Sequence, residues 1–231
     1  MVEIKYTGDA LWARIERAVE NVKHRMRRTT EVLNAAGVPY AVVGGNAVQY
    51  WVAQVDESVV RNTRDVDIIL NRADLPRAIQ ALEGAGFIYR HSFGVTASLF
   101  QDRRGLAHFG ESARQRVPVP ISADGLETGA TFLDGPNAKA RDAVHVVFAG
   151  EKVRDDYPEA VPAIDDYELM HDARTLPLEP LVRMKLTSFR RQDQVHLQDM
   201  ISVGLIDESW LDRLSPKLRA RLQELLDDPD G

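Results

Sequence analysis

Apolar residues recur along this chain in patterns that alternate between the helical and the extended period. Over residues 11–36 they fall at intervals of three, four and seven, which predicts a long amphipathic helix. Shorter apolar segments follow at 40–43, 47–53 and 65–70. The middle segment has the pattern of a short buried helix, and the two outer ones have the length and composition of strands. The order strand, helix, strand is typical of an α/β protein.

The same alternation continues further along the chain and is interrupted once. Residues 75–85 predict a helix that leads into a strand at 87–89, and residues 143–148 predict another strand. Between these elements, residues 91–131 lose clear periodicity, which we interpret as an insertion or a flap over the site. The sequence therefore predicts an α/β (α+β) fold with a mixed sheet flanked by helices.

A change in composition divides the chain near residue 150. Residues 151–177 are acidic and rich in proline, which is typical of an extended connector, with a short strand near Glu168. Amphipathic helical patterns return from residue 178 onwards. We therefore predict a core over residues 1–150 and a connector with a C-terminal helical region over residues 151–231.

The segment at 65–70 is unusual for a strand because it carries two acidic residues. Residues two apart in a strand share a face, so Asp65 and Asp67 point to one side while the apolar residues point into the core. If the extended backbone reaches back far enough, Arg61 and Thr63 join the acidic face. Two parallel carboxylates suit a hard divalent cation, which binds oxygen ligands. The alternative interpretation is a solvated strand end.

Two glycines stand at the head of the short apolar helix. Gly44 and Gly45 allow a ligand to approach the backbone closely. Asn46 is predicted as the N-cap of a helix whose free N–H groups face phosphate oxygens, although a simple turn is the alternative. A phosphate cradle that precedes a pair of carboxylates predicts a site for a metal-bound nucleotide.

These two motifs together resemble the signature of the nucleotidyltransferase superfamily, which has the polymerase-beta-like fold. The sequence GGNA at 44–47, followed by RNTRDVD at 61–67, is most similar to the branch of abortive-infection toxin-type and other small bacterial nucleotidyltransferases. Asn46 stands where that branch has a small hydroxyl residue. The resemblance implies transfer of a nucleoside monophosphate from a nucleoside triphosphate to an acceptor hydroxyl or phosphate. Asp65 and Asp67 would hold Mg²⁺ or Mn²⁺.

The resemblance also assigns roles to other residues. His145 stands where the superfamily places a third carboxylate, and it would serve as a metal ligand or as a general base, or else fill the position as a hydrogen-bonded core residue. Lys185 lies in a pattern similar to the K-L-x-x-x-x-R-x-x-D element and would contact the triphosphate. The glycines and Asn46 would cradle the phosphates, and Arg61 and Thr63 would orient the site.

The residues of these motifs are compatible with several functions. The missing third carboxylate would allow a nucleotide-binding module without turnover. A toxin-type enzyme that modifies tRNA 3′ ends is another alternative, and it would bring an antitoxin-like partner. The acceptor is therefore either a small molecule or an RNA end.

The composition of the chain limits which cellular compartment and which binding partners we expect. The net charge of −6 argues against wide, non-specific binding of nucleic acids, although a local basic patch could still bind a phosphate or an RNA end. The chain has no cysteine, which excludes disulfides and thiolate metal sites. No signal-peptide pattern and no membrane-length apolar run are present, so we expect a cytoplasmic protein without a membrane partner.

Overall fold

The computed structural model describes residues 5–92, 129–138 and 142–228. Within these ranges the helices are α1 Gly8–Ala35, α2 Gly44–Ala53, α3 Leu75–Gly84, α4 Leu178–Ser188, α5 Arg191–Ser202 and α6 Pro216–Asp227. The strands are β1 Tyr40–Val43, β2 Val66–Leu70, β3 Ile88–Ser92, β4 Gly129–Leu133, β5 Ala143–Phe148, β6 Glu168–Met170 and β7 Ala173–Thr175. None of the helices in the described ranges is long and apolar enough to cross a membrane.

The seven strands form one mixed sheet in the order β3-β4-β5-β2-β1-β7-β6. Strand β2 pairs antiparallel with β1 on one side and parallel with β5 on the other. Strand β7 pairs parallel with β1, so the region after residue 150 adds two strands to the sheet as well as helices. The predicted mixed α/β architecture is confirmed, and the strand expected near Glu168 is present as β6.

Apolar side chains pack on both faces of the sheet. On the face covered by α1 and α3, the core includes the β2 residues Val66, Ile68 and Leu70. On the opposite face, Ile69 packs in a core shared with residues of α2, α4, α5 and α6. Because strand residues alternate between faces, Asp67 lies on the side of Ile69, as the period-two pattern predicts.

The predicted insertion over residues 91–131 falls mostly on residues 93–128, which lie outside the described residues, as do the strand-like segments expected around 95–100 and 117–121. The two ends of this stretch belong to β3 and β4, which pair antiparallel. The division of the chain at residue 150 stays a prediction, since the later region shares both the sheet and one core with the earlier one.

Candidate functional site

The two acidic residues of the sequence motif line one cavity on the α2 side of the sheet. Asp67 lies within β2, opposite Val43 of β1 and opposite His145 of β5. Asp65 comes one residue before β2 begins, and it lines the same cavity as Asp67 and His145. His145, which lies 78 residues after Asp67 in the sequence, is therefore a neighbour of the two aspartates, because two parallel strands place it in register with Asp67.

Asp67 is the most unusual group in this cavity. Its Oδ1 atom is buried and has no hydrogen-bond partner in the described part of the chain. Burial raises the pKa of Asp67, while the charges of His145 and Lys185 act in the opposite direction. Burial likewise raises the pKa of Asp65. A buried carboxylate oxygen without a partner is costly, and a bound cation would offset this cost.

The donor set around Asp67 fits a hard or borderline divalent cation. Two carboxylates supply the oxygen ligands that Mg²⁺ prefers, and an imidazole beside them also suits Mn²⁺. Within the described ranges, no group of three or more His, Asp or Glu side chains could hold a metal ion. A site of this kind matches Mg²⁺, which is usually bound through one or two carboxylates and takes its other ligands from substrate phosphates and water.

The two glycines bring the first turn of α2 against these side chains. Gly44 has a φ of +67°, and a β-carbon on it would collide with the Asp67 carboxylate. A β-carbon on Gly45 would lie 2.8 Å from Oγ1 of Thr63. Both glycines and Thr63 line the cavity. The absence of side chains therefore allows the helix to approach the acidic strand closely.

The predicted N-cap role of Asn46 is wrong. Helix α2 begins at Gly44, because the left-handed backbone of this glycine turns the chain into the helix directly after β1. Val43 occupies the N-cap position, and no side chain caps the helix. Asn46 instead lies buried in the first turn, and its Nδ2 donates a hydrogen bond of 2.8 Å to the backbone oxygen of Asp65. Asn46 thus fixes the backbone beside the carboxylates.

Lys185 reaches the cavity from α4 and is already paired. Its Nζ donates a hydrogen bond of 2.9 Å to Oδ1 of Asp193, and both side chains are buried. Oδ2 of Asp193 accepts hydrogen bonds of 2.7 Å from Ser188 Oγ and 2.7 Å from Arg190 Nε. Burial alone would raise the pKa of Asp193, but Lys185 and Arg190 outweigh it and lower the pKa to about 2. The Asp193 carboxylate therefore binds the side chains of both Lys185 and Arg190 at the cavity.

The turn between α4 and α5, which we call the corner, positions the side chain of Arg190. Phe189 has a left-handed backbone with φ 47° and ψ 35°, which is costly for a residue other than glycine. Arg221 of α6 donates hydrogen bonds to the backbone oxygens of Leu186 and Thr187 at 2.6 and 2.7 Å, and its guanidinium lies 5.1 Å from the Phe189 ring centre. These contacts hold the corner in the conformation that places Arg190 at the cavity.

Arg61 and Thr63 have different surroundings. Thr63 lines the cavity of the aspartates, whereas Arg61 is not among the residues that line it. Nε of Arg61 lies 2.7 Å from Oδ2 of Asp199 on α5. The structure therefore brings Thr63, but not Arg61, to the carboxylates.

Sequence reasoning did not single out His196 as a site residue. It lines the cavity from α5, is only 8% exposed, and has a buried Nδ1 without a hydrogen-bond partner. Burial lowers the pKa of His196 to about 3, so the imidazole is neutral at pH 7. Its position three residues after Asp193 in the K-L-x-x-x-x-R-x-x-D element is the signal that could have identified it, together with Arg190 and Asp193.

Apolar side chains also line this cavity. They come from the connector and from α4 and are Val153, Tyr157, Val161, Leu181 and Met184. A cavity that is lined by apolar and charged groups suits a ligand with a planar, weakly polar part and an anionic part.

No family model and no curated protein matches this chain. Among solved structures, the chain is similar to the antibiotic-resistance factor ANT(2'')-Ia, a nucleotidyltransferase, with 9% sequence identity and a TM-score of 0.49. The similarity covers 88% of this chain and 90% of the other. Likeness at this level assigns no activity to this chain.

Proposed function

We propose that this protein is a metal-dependent nucleotidyltransferase that moves a nucleoside monophosphate from a nucleoside triphosphate to an acceptor hydroxyl or phosphate. The observation that carries the proposal is the buried Oδ1 of Asp67, which has no hydrogen-bond partner among the described residues and lies beside Asp65 and His145. This arrangement combines the acidic face with the glycine-rich helix start in one cavity, as the sequence signature implies.

In this proposal Asp65 and Asp67 hold Mg²⁺ or Mn²⁺ as the cofactor. The bound ion would neutralise negative charge that develops on the phosphate oxygens. The first turn of α2 has no side-chain cap, so its N–H groups are available to the phosphates at Gly44 and Gly45. Lys185 supplies a positive charge on the opposite side of the same cavity.

Transfer replaces one phosphorus–oxygen bond with another. The acceptor oxygen forms a bond to the α-phosphorus while the bond from that phosphorus to the bridging oxygen of the β-phosphate breaks, and pyrophosphate leaves with the electron pair. The acceptor loses its proton to a base. We assign this role to His145, which lies in register with Asp67 and faces the same cavity.

The base of the nucleotide would lie against the apolar side chains of the cavity. Its planar ring would pack among the side chains of Tyr157, Leu181 and Met184, which offer apolar contacts and few fixed polar groups. Such a pocket favours binding of a nucleobase without strong selection among the bases.

A nucleotide-binding module without turnover is the second candidate. It is favoured by His145, because an imidazole, which never carries a negative charge here, stands next to Asp67 where the sequence resemblance implies a carboxylate ligand. A role as a toxin that acts on tRNA 3′ ends, with an antitoxin-like partner, belongs to the same set of proposals and rests on the sequence resemblance.

A turnover assay separates these candidates. The protein is incubated with each nucleoside triphosphate, Mg²⁺ or Mn²⁺, and a panel of RNA and aminoglycoside acceptors, and pyrophosphate is measured. We expect acceptor-dependent release that Asp67→Asn abolishes. Nucleotide binding without pyrophosphate release for any acceptor would favour the binding module, and absence of both would contradict the proposal.

A further inference from the structure

A second groove lies next to the carboxylate cavity, between α1 and the segment at residues 62–64. Its volume is about 780 Å³, and Thr63 lines both this groove and the cavity of the aspartates. The groove and the cavity therefore meet at one residue. A molecule in the groove would extend to the carboxylates, where an acceptor is required.

Positive side chains outnumber acidic ones in the lining of this groove. Arg14 and Arg17 of α1 face Arg64, which directly precedes Asp65 in the chain. Within the described residues, these three arginines form no ion pair, and all three are exposed. Their charges are available to a ligand.

The acidic residues of α1 point elsewhere. Glu16 and Glu20 lie on the same stretch of the helix but are not among the residues that line the groove. Asp142 is the acidic residue of the lining, and Arg25 neutralises it at 3.5 Å. On this stretch of α1, the arginines therefore line the groove and the glutamates do not, although the chain as a whole is acidic with a net charge of −6.

The fourth arginine of the lining is buried. Arg25 is only 4% exposed, and Asp134 and Asp142 lie 3.4 and 3.5 Å from its guanidinium. Its charge is therefore matched by these two carboxylates, and the charge available to a ligand comes from Arg14, Arg17 and Arg64.

An exposed aromatic ring lies next to one of these arginines. The ring of Tyr6 is 4.8 Å from the guanidinium carbon of Arg14, and Trp12 is a second exposed aromatic residue of this end of α1, outside the groove lining. Ile15, which is also exposed, lines the groove itself. Basic side chains interleaved with exposed aromatic rings are the features that bind single-stranded nucleic acids, since phosphates contact the cations and bases stack on the rings.

We propose that this groove binds a single-stranded nucleic acid as the acceptor and presents its terminal hydroxyl at Thr63 to the carboxylate cavity. This inference rests on the proposed function and names the class of its acceptor. The terminal oxygen would bond to the α-phosphorus, pyrophosphate would leave, and the acceptor would grow by one nucleotide. A polycationic small molecule would be repelled by Arg14, Arg17 and Arg64.

Binding is tested with the full chain and a fluorescently labelled single-stranded RNA oligonucleotide, by fluorescence anisotropy at several salt concentrations. The double variant Arg14→Gln/Arg17→Gln is compared with Lys23→Gln/Arg27→Gln, which removes two charges from α1 outside the groove. We expect the first variant to bind about tenfold more weakly or worse, with a salt slope reduced by about 1.4 for two lost phosphate contacts. The second should stay within about twofold of the wild type.

Equal losses in both double variants, or no measurable binding by the wild type, would overturn the inference. Arg64→Gln provides a variant outside α1, and it should weaken binding without lowering the melting temperature. Because anisotropy needs no turnover, it separates the two proposals. Pyrophosphate release that depends on a small-molecule acceptor, without oligonucleotide binding, would contradict nucleic-acid binding by the groove. The same result would support the proposed transferase activity.

Discussion

Gly44 and Asp67 lie so close together that a β-carbon on residue 44 would collide with the Asp67 carboxylate. The glycine also has a left-handed backbone, with φ +67°. Two independent constraints therefore require glycine at this position, and both arise from the way α2 starts directly against β2. The arrangement links the helix start that would bind phosphates to the carboxylate that would bind a cation.

Substitution of Gly44 by alanine should damage both stability and binding. We expect Gly44→Ala to lower the free energy of unfolding by at least about 1–2 kcal/mol from the left-handed backbone alone, and to displace Asp67. Nucleotide binding in the presence of Mg²⁺ should fall with it. Gly84→Ala is the control, since a β-carbon there meets open space and the residue lies in α3. If Gly44→Ala binds nucleotide as the wild type does, Gly44 is not part of the site.

Neutralising Asp67 should separate function from stability. Burial raises the pKa of this carboxyl group, so its charged form is costly in the folded protein. We expect Asp67→Asn to leave the melting temperature unchanged or slightly higher. Metal-dependent nucleotide affinity should fall by about tenfold or more, which corresponds to about 1.4 kcal/mol.

The surface variant Asp156→Asn serves as the matched control for Asp67→Asn, because its side chain is exposed. Calorimetric titration and a thermal melt on the same samples give both quantities. A large drop in melting temperature for Asp67→Asn would identify Asp67 as a structural carboxylate that the fold requires.

The sheet and the acidic face could be predicted because their signals are local. Strand periodicity alone places Asp65 and Asp67 away from Val66 and Ile68, and the structure agrees. The placement of His145 beside Asp67 needed a resemblance as well, since no local pattern shows which strand pairs with β2.

Other features depend on contacts between distant parts of the chain and could not be predicted. The partner of Arg61 is Asp199, 138 residues later. Asn46 has the composition of an N-cap, but the backbone of Gly44 starts the helix earlier. The Lys185–Asp193 ion pair depends on the turn at Phe189, whose left-handed conformation follows from packing against α6.

Acid should destabilise this protein below about pH 6.5, and His196 should be a main cause. Its folded pKa of about 3 lies below the ordinary histidine pKa of 6.5, so between these two values the unfolded chain binds a proton that the folded protein does not. Stability is therefore lost as the pH falls from 6.5 towards 3, by up to about 1.4 kcal/mol per pH unit. Asp193, with a folded pKa of about 2, adds a further loss below about pH 4.

Urea unfolding of the wild type and His196→Gln between pH 7.5 and 4.5 measures this effect. The variant should show a flatter dependence on pH, while His24→Gln, a substitution on the exposed face of α1, should follow the wild type. Equal pH dependence in wild type and His196→Gln would show that His196 is not the titrating group.

Replacing His145 by the carboxylate that the resembled signature has at this position should change the metal preference. Mg²⁺ binds oxygen ligands, whereas imidazole suits later transition metals, so the natural protein should favour Mn²⁺ over Mg²⁺ more than a site with three carboxylates does. We expect His145→Asp to raise turnover with Mg²⁺ and to lower turnover with Mn²⁺, by about tenfold where a positioned base is gained or lost. Unchanged rates with both metals would exclude His145 from the reaction.

The most direct test is the transfer of label from nucleoside triphosphates labelled at the α-phosphate to an acceptor. The wild type is compared with Asp67→Asn under identical metal concentrations. We expect that the acceptor gains the mass and label of one or more nucleoside monophosphates, with one pyrophosphate released per transfer, and that Asp67→Asn gives neither. Transfer by Asp67→Asn at the wild-type rate, or no transfer by the wild type with any triphosphate, metal or acceptor, would contradict the proposed function.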